Sequence, residues 1–234
     1  VPWSYYTATS VVAMSQSMVK AALTDEEIEI LYLMSFTYMV QFAPLCAYIG
    51  GFAAQESIKA ITNKFTPVNQ VMFHDVIEVM PTINIKNINE SIKEFNFKEQ
   101  KNRNVGLNVL LGEKIMKKIE DMKLLMVGAG AIGCELLKNF AMLNIGTGEN
   151  GAMYITDPDI IEVSNLTRQF LFREKHLRLP KSSTAAAAAV QMNPKLKNHI
   201  FAKLDKVCEE TEQIFTDDFF NSLSVVANAL DNVN

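Results

Sequence analysis

The chain has 234 residues, which is enough for one or two domains with a sizeable buried core. Apolar residues make up 49% of it and charged residues 21%, the ordinary composition of a globular protein. The formal net charge is −4 and no long basic run occurs, which argues against a nucleic-acid partner. Cys46, Cys134 and Cys208 lie far apart without metal-ligand spacing, a pattern typical of a reducing compartment.

Residues 24–61 predict helices, whereas residues 1–23 offer little to assign. Thr24 precedes three acidic residues, an arrangement typical of a helix start. The stretch over residues 31–54 contains no charged residue, and by length alone it is a candidate membrane span. Pro44 and Gly50-Gly51 interrupt the stretch and flanking basic anchors are missing, so we expect no membrane association. We expect two helices that break near Pro44, the second over residues 45–61 and buried against a large partner surface.

A change of composition in the middle of the chain predicts a domain boundary. Residues 70–79 have the apolar pattern of a strand with a turn. Residues 81–103 are rich in Asn, Lys and Glu, which indicates a linker. We therefore expect an N-terminal domain over residues 1–80 and a second domain over 104–234, the latter entered by a helix over 107–122. The chain lacks a starting Met and a signal-peptide layout, and both its ends indicate a piece of a longer protein.

A glycine-rich turn opens the second domain. The apolar run over 124–127 predicts a buried strand, and the glycines Gly128, Gly130 and Gly133 follow it directly. An apolar helical pattern over 132–143 comes next. Glycines between a strand and a helix let a phosphate group approach the backbone N–H groups at the helix N-terminus. The alternative is a turn that only lets the strand and the helix pack closely.

Strands and helices then alternate to the end of the chain, which predicts an α/β fold with a parallel, doubly wound sheet. Further strands are expected over residues 152–156, 200–204 and 224–230. Helices are expected from Ser182 or Ser183, as the capping residue, to Met192, and over residues 209–223. Ligands of such sheets bind at the carboxyl ends of the strands, where the glycine turn, Asp157 and Asp231 all fall.

The residues at this edge favour Mg–ATP over a nicotinamide dinucleotide. Asp157 is placed to accept hydrogen bonds from ribose hydroxyls, a role that Asp159 could share. Arg168 and Lys181 offer the counter-charges that a polyphosphate needs, although each alone also suits an ordinary surface residue. Asp231 is a candidate Mg²⁺ ligand, since Mg²⁺ in proteins is usually held by one or two carboxylates and substrate phosphates. Cys134 fits a small core residue, and the three histidines form no motif.

Several segments together resemble the ubiquitin-activating enzymes. They are VGAGAIGCELLKNFAM (127–142), TDPDIIEVSNLTRQFLF (156–172), KSSTAAAAAVQMNP (181–194) and ANALDNV (227–233). These segments are similar to the start of the active adenylation domain of that family, which has the ThiF/MoeB-like, Rossmann-like fold. APLCAYIGGFAAQESIKA (43–60) resembles the end of the inactive adenylation domain, and KNRNVGLNVLLGEK (101–114) the opening of the active one.

The resemblance implies a set of roles and partners. Ala131 and the glycines around it would line the nucleotide, and Asp157 would hold the ribose. The phosphates would be contacted by Asn165, Arg168, Gln169 and Lys181, with Arg168 and Lys181 as the catalytic cations. Asp231 and Asn232 would close the site near Mg²⁺. ATP would adenylate the carboxyl terminus of ubiquitin before transfer to a cysteine and then to conjugating enzymes. The resemblance also implies the cytoplasm and the nucleus.

The chain departs from the family pattern at several positions. Thr167 stands where the family usually has Asn, and Asn104 stands where it usually has Tyr, so Arg103 receives no role. The family's cysteine nucleophile lies beyond this sequence, and none of the three cysteines present is assigned that role. Three alternatives stay open: an activator of another ubiquitin-like protein, an NAD-dependent oxidoreductase, and a non-catalytic scaffold.

Overall fold

The computed structural model describes residues 5–19, 22–37, 40–69, 71–72, 74, 76, 78 and 103–230. The chain divides into two compact units, Val1–Met116 and Lys117–Asn234. The predicted linker over 81–103 lies almost entirely outside the described residues, so the domain boundaries drawn from the sequence stay a prediction.

The first unit is helical throughout its described elements. They are α1 (Tyr5–Met18), α2 (Asp25–Thr37), α3 (Ala43–Thr62) and α4 (Val105–Leu111). Tyr32 and Leu33 of α2 are buried, and α2 packs against both α1 and α4. Among the described helices, none has the length and apolar character that crossing a membrane requires.

Two sequence expectations for the first unit are confirmed. Thr24 and Glu27 form a capping box, in which Glu27 N–H donates to Thr24 Oγ1 at 3.2 Å and Thr24 N–H donates to Glu27 Oε2 at 2.7 Å. Helix α3 begins at Ala43 with Pro44 in its first turn, where the missing N–H of proline costs nothing. None of the residues of α3 is buried within this structure, and its burial against a partner surface stays a prediction.

Two other expectations near the first unit need correction. The helix predicted over residues 107–122 is two helices, α4 and α5 (Glu113–Glu120), because Gly112 lies between them with φ of +78° and ends the first. The strand predicted over 70–79 falls partly on residues outside the described set. Those that are described there, such as Val71, Met72 and Val76, do not belong to a strand.

The second unit is a four-stranded parallel sheet with the order β3-β2-β1-β4. Its elements are β1 (Lys123–Val127), α6 (Ala131–Met142), β2 (Ala152–Thr156), α7 (Lys181–Met192), β3 (Ile200–Lys203), α8 (Asp217–Asn221) and β4 (Val225–Asn228). Strand β1 lies between β2 and β4 and pairs with both in register. The parallel, doubly wound sheet expected from the alternation is confirmed.

Side chains of β1 alternate between two hydrophobic clusters, as the period of a strand requires. Leu124 and Met126 pack into the larger cluster, which α6 and α7 cover. Leu125 and Val127 point to the opposite face and contact the aromatic side chains of the 214–223 segment. All four side chains are buried, as expected for an inner strand of a sheet that is covered on both faces.

Two helix predictions in the second unit are wrong in detail. The segment 209–223 forms a single 3₁₀ turn and the short helix α8, because the Thr216 hydroxyl accepts from Phe219 N–H and starts a new helix there. Helix α7 begins after Pro180 without a side-chain cap. Ser182 lies inside its first turn, fully buried, and its hydroxyl has no hydrogen-bond partner among the described residues.

Candidate functional site

The glycine turn follows β1 at the point in the sheet where the strand order reverses, next to β4. The chain leaves β1 toward β2 on one side, whereas β4 joins β1 on the other. Such a switch point leaves a crevice at the carboxyl ends of the strands, where ligands of open α/β sheets bind. Gly128 N–H donates to Thr156 O at 2.8 Å and Ala229 N–H donates to Val127 O at 2.8 Å. These bonds bring the ends of three strands to one edge.

Two of the three glycines in this turn are required by packing. Gly128 has φ of +98°, and a Cβ there would lie 2.6 Å from Ala229 O. A Cβ on Gly133 would lie 2.3 Å from Gly128 O. Gly130 is different, because the nearest atom to a Cβ at this position would be Gln169 Nε2 at 4.0 Å. Close packing therefore explains Gly128 and Gly133, while Gly130 and the half-buried Ala131 lie at the open N-terminus of α6.

Asp157, directly after β2, ties the glycine turn to the following loop. Its Oδ2 accepts from Ala129 N–H at 2.6 Å and its Oδ1 accepts from Asp159 N–H at 2.9 Å. Its side chain is buried with 6% of its surface exposed. Each carboxylate oxygen has a second lone pair, so the group can still accept a ligand hydroxyl. Its first role in the structure is to fix the conformation of the turn.

Lys181 is a buried cation at this edge. It is the first residue of α7, with 8% of its surface exposed, and its Nζ lies 2.8 Å from Asp159 Oδ2. The Asp159 side chain is 65% exposed, so water screens this ion pair from one side only. A buried ammonium requires a nearby anion, and here that anion is open to solvent. A ligand phosphate can therefore compete with Asp159 for Lys181.

A pair of chain segments brings Lys181 to this position. Lys181 N–H donates to Asp159 O at 2.9 Å, and Ile160 forms an antiparallel bridge with Pro180. Ile161 N–H also donates to Leu179 O at 2.9 Å. The loop after β2 and the loop before α7 thus pair along three residues. This pairing places the start of α7 beside the glycine turn.

The segment between these loops presents two buried amide side chains. Asn165 is buried, and its Oδ1 accepts from Glu162 N–H at 2.9 Å, which leaves Nδ2 as the side-chain group for a ligand. Gln169 is 3% exposed, and its Oε1 has no hydrogen-bond partner among the described residues. An unpaired buried amide oxygen is unfavourable, which makes Gln169 a candidate for contact with a bound molecule.

The two cations predicted from the sequence have different partners in the structure, and two other predicted residues are not described. Arg168 is exposed, and its Nη1 donates to Ser164 O within its own turn at 3.1 Å. Lys181 forms an ion pair with Asp159, so Arg168 and Lys181 are held by different groups. Asp231 and Asn232 lie outside the described residues. The sequence analysis gave Asp159 only a possible share in ribose binding and missed its ion pair with Lys181. The one available signal was that Asp159 lies two residues after Asp157, at the same edge of the sheet.

Cys134 and the three histidines have structural surroundings. Cys134 is fully buried, and burial raises the pKa of its thiol to about 11. His199 Nδ1 lies 3.0 Å from Gly151 O, His74 stacks on Tyr48 at 4.3 Å, and His176 Nδ1 accepts from a neighbouring backbone N–H. Within the described residues, no three carboxylate, imidazole or thiol groups gather as metal ligands. The described residues at this edge therefore offer a buried ammonium, backbone N–H groups and amide side chains to a ligand.

Residues 101–234, which include this whole edge, match the ThiF family. The chain belongs to the ThiF family. The resemblance that the motifs indicated is thereby confirmed.

Curated relatives agree with this assignment. The chain is 43% identical over 226 residues to ubiquitin-like modifier-activating enzyme 1 of Oryctolagus cuniculus, and 42% identical over 206 residues to ubiquitin-like modifier-activating enzyme 6 of Mus musculus. These matches cover 97% and 88% of this chain, but only 20% and 19% of the two relatives. The chain therefore spans about a fifth of the length of the curated relatives it matches.

A solved structure of the Escherichia coli tRNA N6-threonylcarbamoyladenosine dehydratase, in complex with ATP, is similar to part of the chain. The two share 26% sequence identity, with a TM-score of 0.49 over 56% of this chain and 50% of the other.

Proposed function

We propose that this ThiF-family chain forms most of the ATP site of an enzyme that activates ubiquitin. The observation that carries the proposal is the buried ammonium of Lys181 at the sheet edge, beside the glycine turn, whose ion-pair partner among the described residues is the solvent-exposed carboxylate of Asp159. A buried cation facing an open crevice suits a phosphate, because hydrogen bonds between ionised groups are the strong ones. Activation of another ubiquitin-like protein is the second candidate, since both kinds of activating enzyme are among the relatives by name.

In the proposed reaction, a carboxylate oxygen of the modifier's C-terminal glycine attacks the α-phosphorus of ATP. A new oxygen–phosphorus bond forms, and the bond between the α-phosphorus and the bridging oxygen breaks, so pyrophosphate leaves with the electron pair. The N–H groups at the start of α6 and the ammonium of Lys181 stabilise the negative charge that develops on the phosphate oxygens. Arg168, directly after the 3₁₀ turn (Val163–Thr167), would supply a second cation once its guanidinium leaves Ser164 O.

The described side chains fit the nucleotide in the remaining positions. Asp157 offers second lone pairs to ribose hydroxyls, while Gly130 and Ala131 allow a phosphate to approach the start of α6. The Nδ2 group of Asn165 can donate to the polyphosphate, whereas the unpaired Oε1 of Gln169 is an acceptor and suits a donor group of the nucleotide. Positioning of the two reactants accounts for much of the expected acceleration.

The donor set also fits a magnesium ion bound largely through ATP. Asp159 is an exposed carboxylate on this edge, and Asp231, outside the described residues, is the ligand expected from the sequence. Mg²⁺ usually keeps one or two protein carboxylates and takes its other ligands from phosphates and water. When bound, it would neutralise phosphate charge and add electrostatic stabilisation to the step above.

The names of the relatives support a ubiquitin-type modifier as the partner, and conjugating enzymes are proposed from the motif resemblance. Ubiquitin or a ubiquitin-like protein would be the substrate, and conjugating enzymes would receive it through parts of the relatives that this chain does not span. We also propose residence in the cytoplasm and the nucleus, with no nucleic-acid or membrane partner. This ThiF-family chain has suitable residues at the positions proposed to bind phosphate. They support neither an NAD-dependent oxidoreductase nor a non-catalytic scaffold.

Isothermal titration calorimetry of the chain with Mg–ATP tests the proposal. We expect saturable binding, and Lys181→Ala should weaken it by at least about tenfold because it removes a charge-assisted contact to phosphate. Lys197→Ala is the matched control, since Lys197 is an exposed lysine of the same unit, and it should leave the affinity unchanged.

Circular dichroism of each variant checks that the fold is intact. Tight binding of NAD without a response to ATP would overturn the proposal, and so would equal losses in Lys181→Ala and Lys197→Ala. Ubiquitin-dependent exchange of pyrophosphate into ATP, measured on the full-length protein, then tests the substrate. Exchange that depends on another modifier would favour the second candidate.

A further inference from the structure

A groove lies between α7 and the loop that follows Gln169. Its volume is about 410 Å³, which is within the range of pockets that hold ligands. The floor consists of apolar side chains from the loop and from α7, among them Phe170, Leu171, Ala187, Ala188 and Met192. None of these residues belongs to the proposed ATP site.

The ionisable side chains that line the groove are all basic. They are Arg173, Lys175 and His176 at the rim, and the intervening Glu174 does not line it. Arg173 and Lys175 are exposed, whereas His176 is half-buried. In a chain with a net charge of −4, this is a local concentration of positive charge.

An ion pair lies near the Phe170 part of the floor. The Lys138 ammonium is 5.2 Å from the centre of the Phe170 ring, and it pairs with Glu135. Because Glu135 is already matched by Lys138, these two residues do not cancel the charge of Arg173 and Lys175.

Local hydrogen bonds hold two of the rim groups in place. Arg173 Nη1 donates to Phe172 O at 2.7 Å and also to Phe170 O, which fixes the guanidinium and leaves Nε and Nη2 for a ligand. His176 Nδ1 accepts from Arg173 N–H at 3.2 Å, so the neutral imidazole carries its proton on Nε2 as a further donor. Within the described residues, Lys175 takes part in no ion pair.

We propose that this groove docks an acidic segment of a partner protein that carries an apolar side chain among its carboxylates. Among the described residues, none of the basic groups at the rim forms an ion pair with a carboxylate, so the rim is complementary to acidic side chains. The apolar floor calls for a side chain such as leucine or phenylalanine, which a phosphate ion lacks. The volume also exceeds what a single small anion fills. A peptide segment uses both halves of the groove, as amphipathic peptides do in other grooves.

The location suggests what docking would achieve. The loop that forms one wall begins directly after Gln169, and α7, which forms the other, begins with Lys181. A partner held here lies next to the proposed ATP site without entering it. The groove shares no residue with the proposed ATP site, so docking of a peptide can be measured without nucleotide.

Fluorescence anisotropy with a labelled synthetic peptide tests the groove. The probe has a leucine–phenylalanine pair flanked by glutamate and aspartate residues, and it is titrated with the full 234-residue chain. We expect saturable binding that weakens as salt is added. Lys175→Glu and Ala187→Glu should each lower the affinity by about tenfold, because they place a carboxylate at the rim or floor against the acidic peptide. Lys197→Glu reverses an equally exposed charge outside the groove and should have no effect.

Two control ligands separate a docking site from a site for small anions. A peptide in which glutamine and asparagine replace the acidic residues should bind at least about tenfold more weakly, since the rim charges lose their partners. A peptide in which alanine replaces the apolar pair should be weakened as well. Absence of saturable binding would overturn the proposal, as would an equal loss in Lys197→Glu. Displacement of the peptide by equimolar inorganic phosphate would identify a small-anion site instead.

Discussion

The side chain of Cys134 lies in the first turn of α6 with its Sγ 3.7 Å from Ala129 O. It is fully buried, and burial raises the pKa of the thiol to about 11 because the thiolate would lose its hydration. At pH 8 a thiol with that pKa is roughly 0.1% ionised. The sequence predicted a core residue at this position, and the location of Cys134 agrees.

We expect iodoacetamide at pH 8 to label Cys46 and Cys208, which are exposed, and to leave Cys134 unmodified in the folded chain. Mass spectrometry of the digested protein measures the labelling of each cysteine, and labelling in urea serves as the control. Labelling of Cys134 as fast as Cys208 would contradict this prediction.

The raised pKa of Cys134 also makes stability depend on pH. The unfolded thiol ionises near pH 8.5 while the folded one stays protonated, so the contribution of Cys134 to the free energy of unfolding is lost as the pH rises from about 8.5 toward 11.

Asp157 illustrates how one carboxylate can organise a site. Because it bonds to Ala129 N–H and Asp159 N–H, Asp157→Asn should lower the free energy of unfolding by about 1–3 kcal/mol, since an amide has only one acceptor oxygen for the two donors. Urea denaturation followed by circular dichroism measures the change. Glu212→Gln, at an exposed position of the same unit, is the control and should change stability by less than about 0.5 kcal/mol. Equal stability of Asp157→Asn and the wild type would contradict the structural role.

At the scale of elements, the strand–turn–helix unit of β1 and α6 depends on how closely the helix approaches the turn. Gly133→Ala would place a Cβ 2.3 Å from Gly128 O, and backbone on both sides has no room to move freely. We expect a loss of about 1–3 kcal/mol in the free energy of unfolding, the usual cost of overpacking. Urea denaturation is again the measurement.

Gly130→Ala is the matched control within the same turn. Its Cβ would meet no atom closer than Gln169 Nε2 at 4.0 Å, and its φ of −75° suits any residue. The fold should therefore tolerate this change, while affinity for Mg–ATP should fall if a phosphate approaches the backbone here. A larger loss of stability in Gly130→Ala than in Gly133→Ala would contradict this assignment of the two glycines.

At the scale of the whole molecule, the two compact units have separate cores of different size. The clusters around β1 lie entirely within residues 117–234, and among the described residues the buried side chains of the first unit, such as Leu33 and Leu110, are fewer. We expect unfolding in urea to show two transitions, the first from residues 1–116. Hydrogen exchange, read by mass spectrometry of peptides from each unit, assigns the transitions.

Core substitutions sharpen that test. Leu137→Ala, at a fully buried position of α6, should shift only the later transition by about 2–5 kcal/mol, and Leu33→Ala should shift only the earlier one. A single transition that both substitutions move equally would contradict the two-unit interpretation.

The order of strands and helices in the second unit could be predicted from the sequence, because each strand is a short apolar run and each turn has its own signal. Residues 124–127 and 152–156 were placed to within one residue. Helix ends were harder to place. The break at Gly112 depends on a positive φ, and Ser182 was wrongly predicted as a cap because Pro180, two residues earlier, already has the N-cap position.

The sequence by itself determined the parallel sheet, the glycine turn after β1 and the gathering of Asp157 with that turn, because strand period and chain direction dictate which ends meet. Only the tertiary structure decided that Asp159 pairs with Lys181, that Gly130 alone of the three glycines is open, and that Arg173 and His176 line a groove. Local patterns encode which face of an element is buried. Contacts between distant residues depend on how whole elements pack, and no spacing along the chain records that.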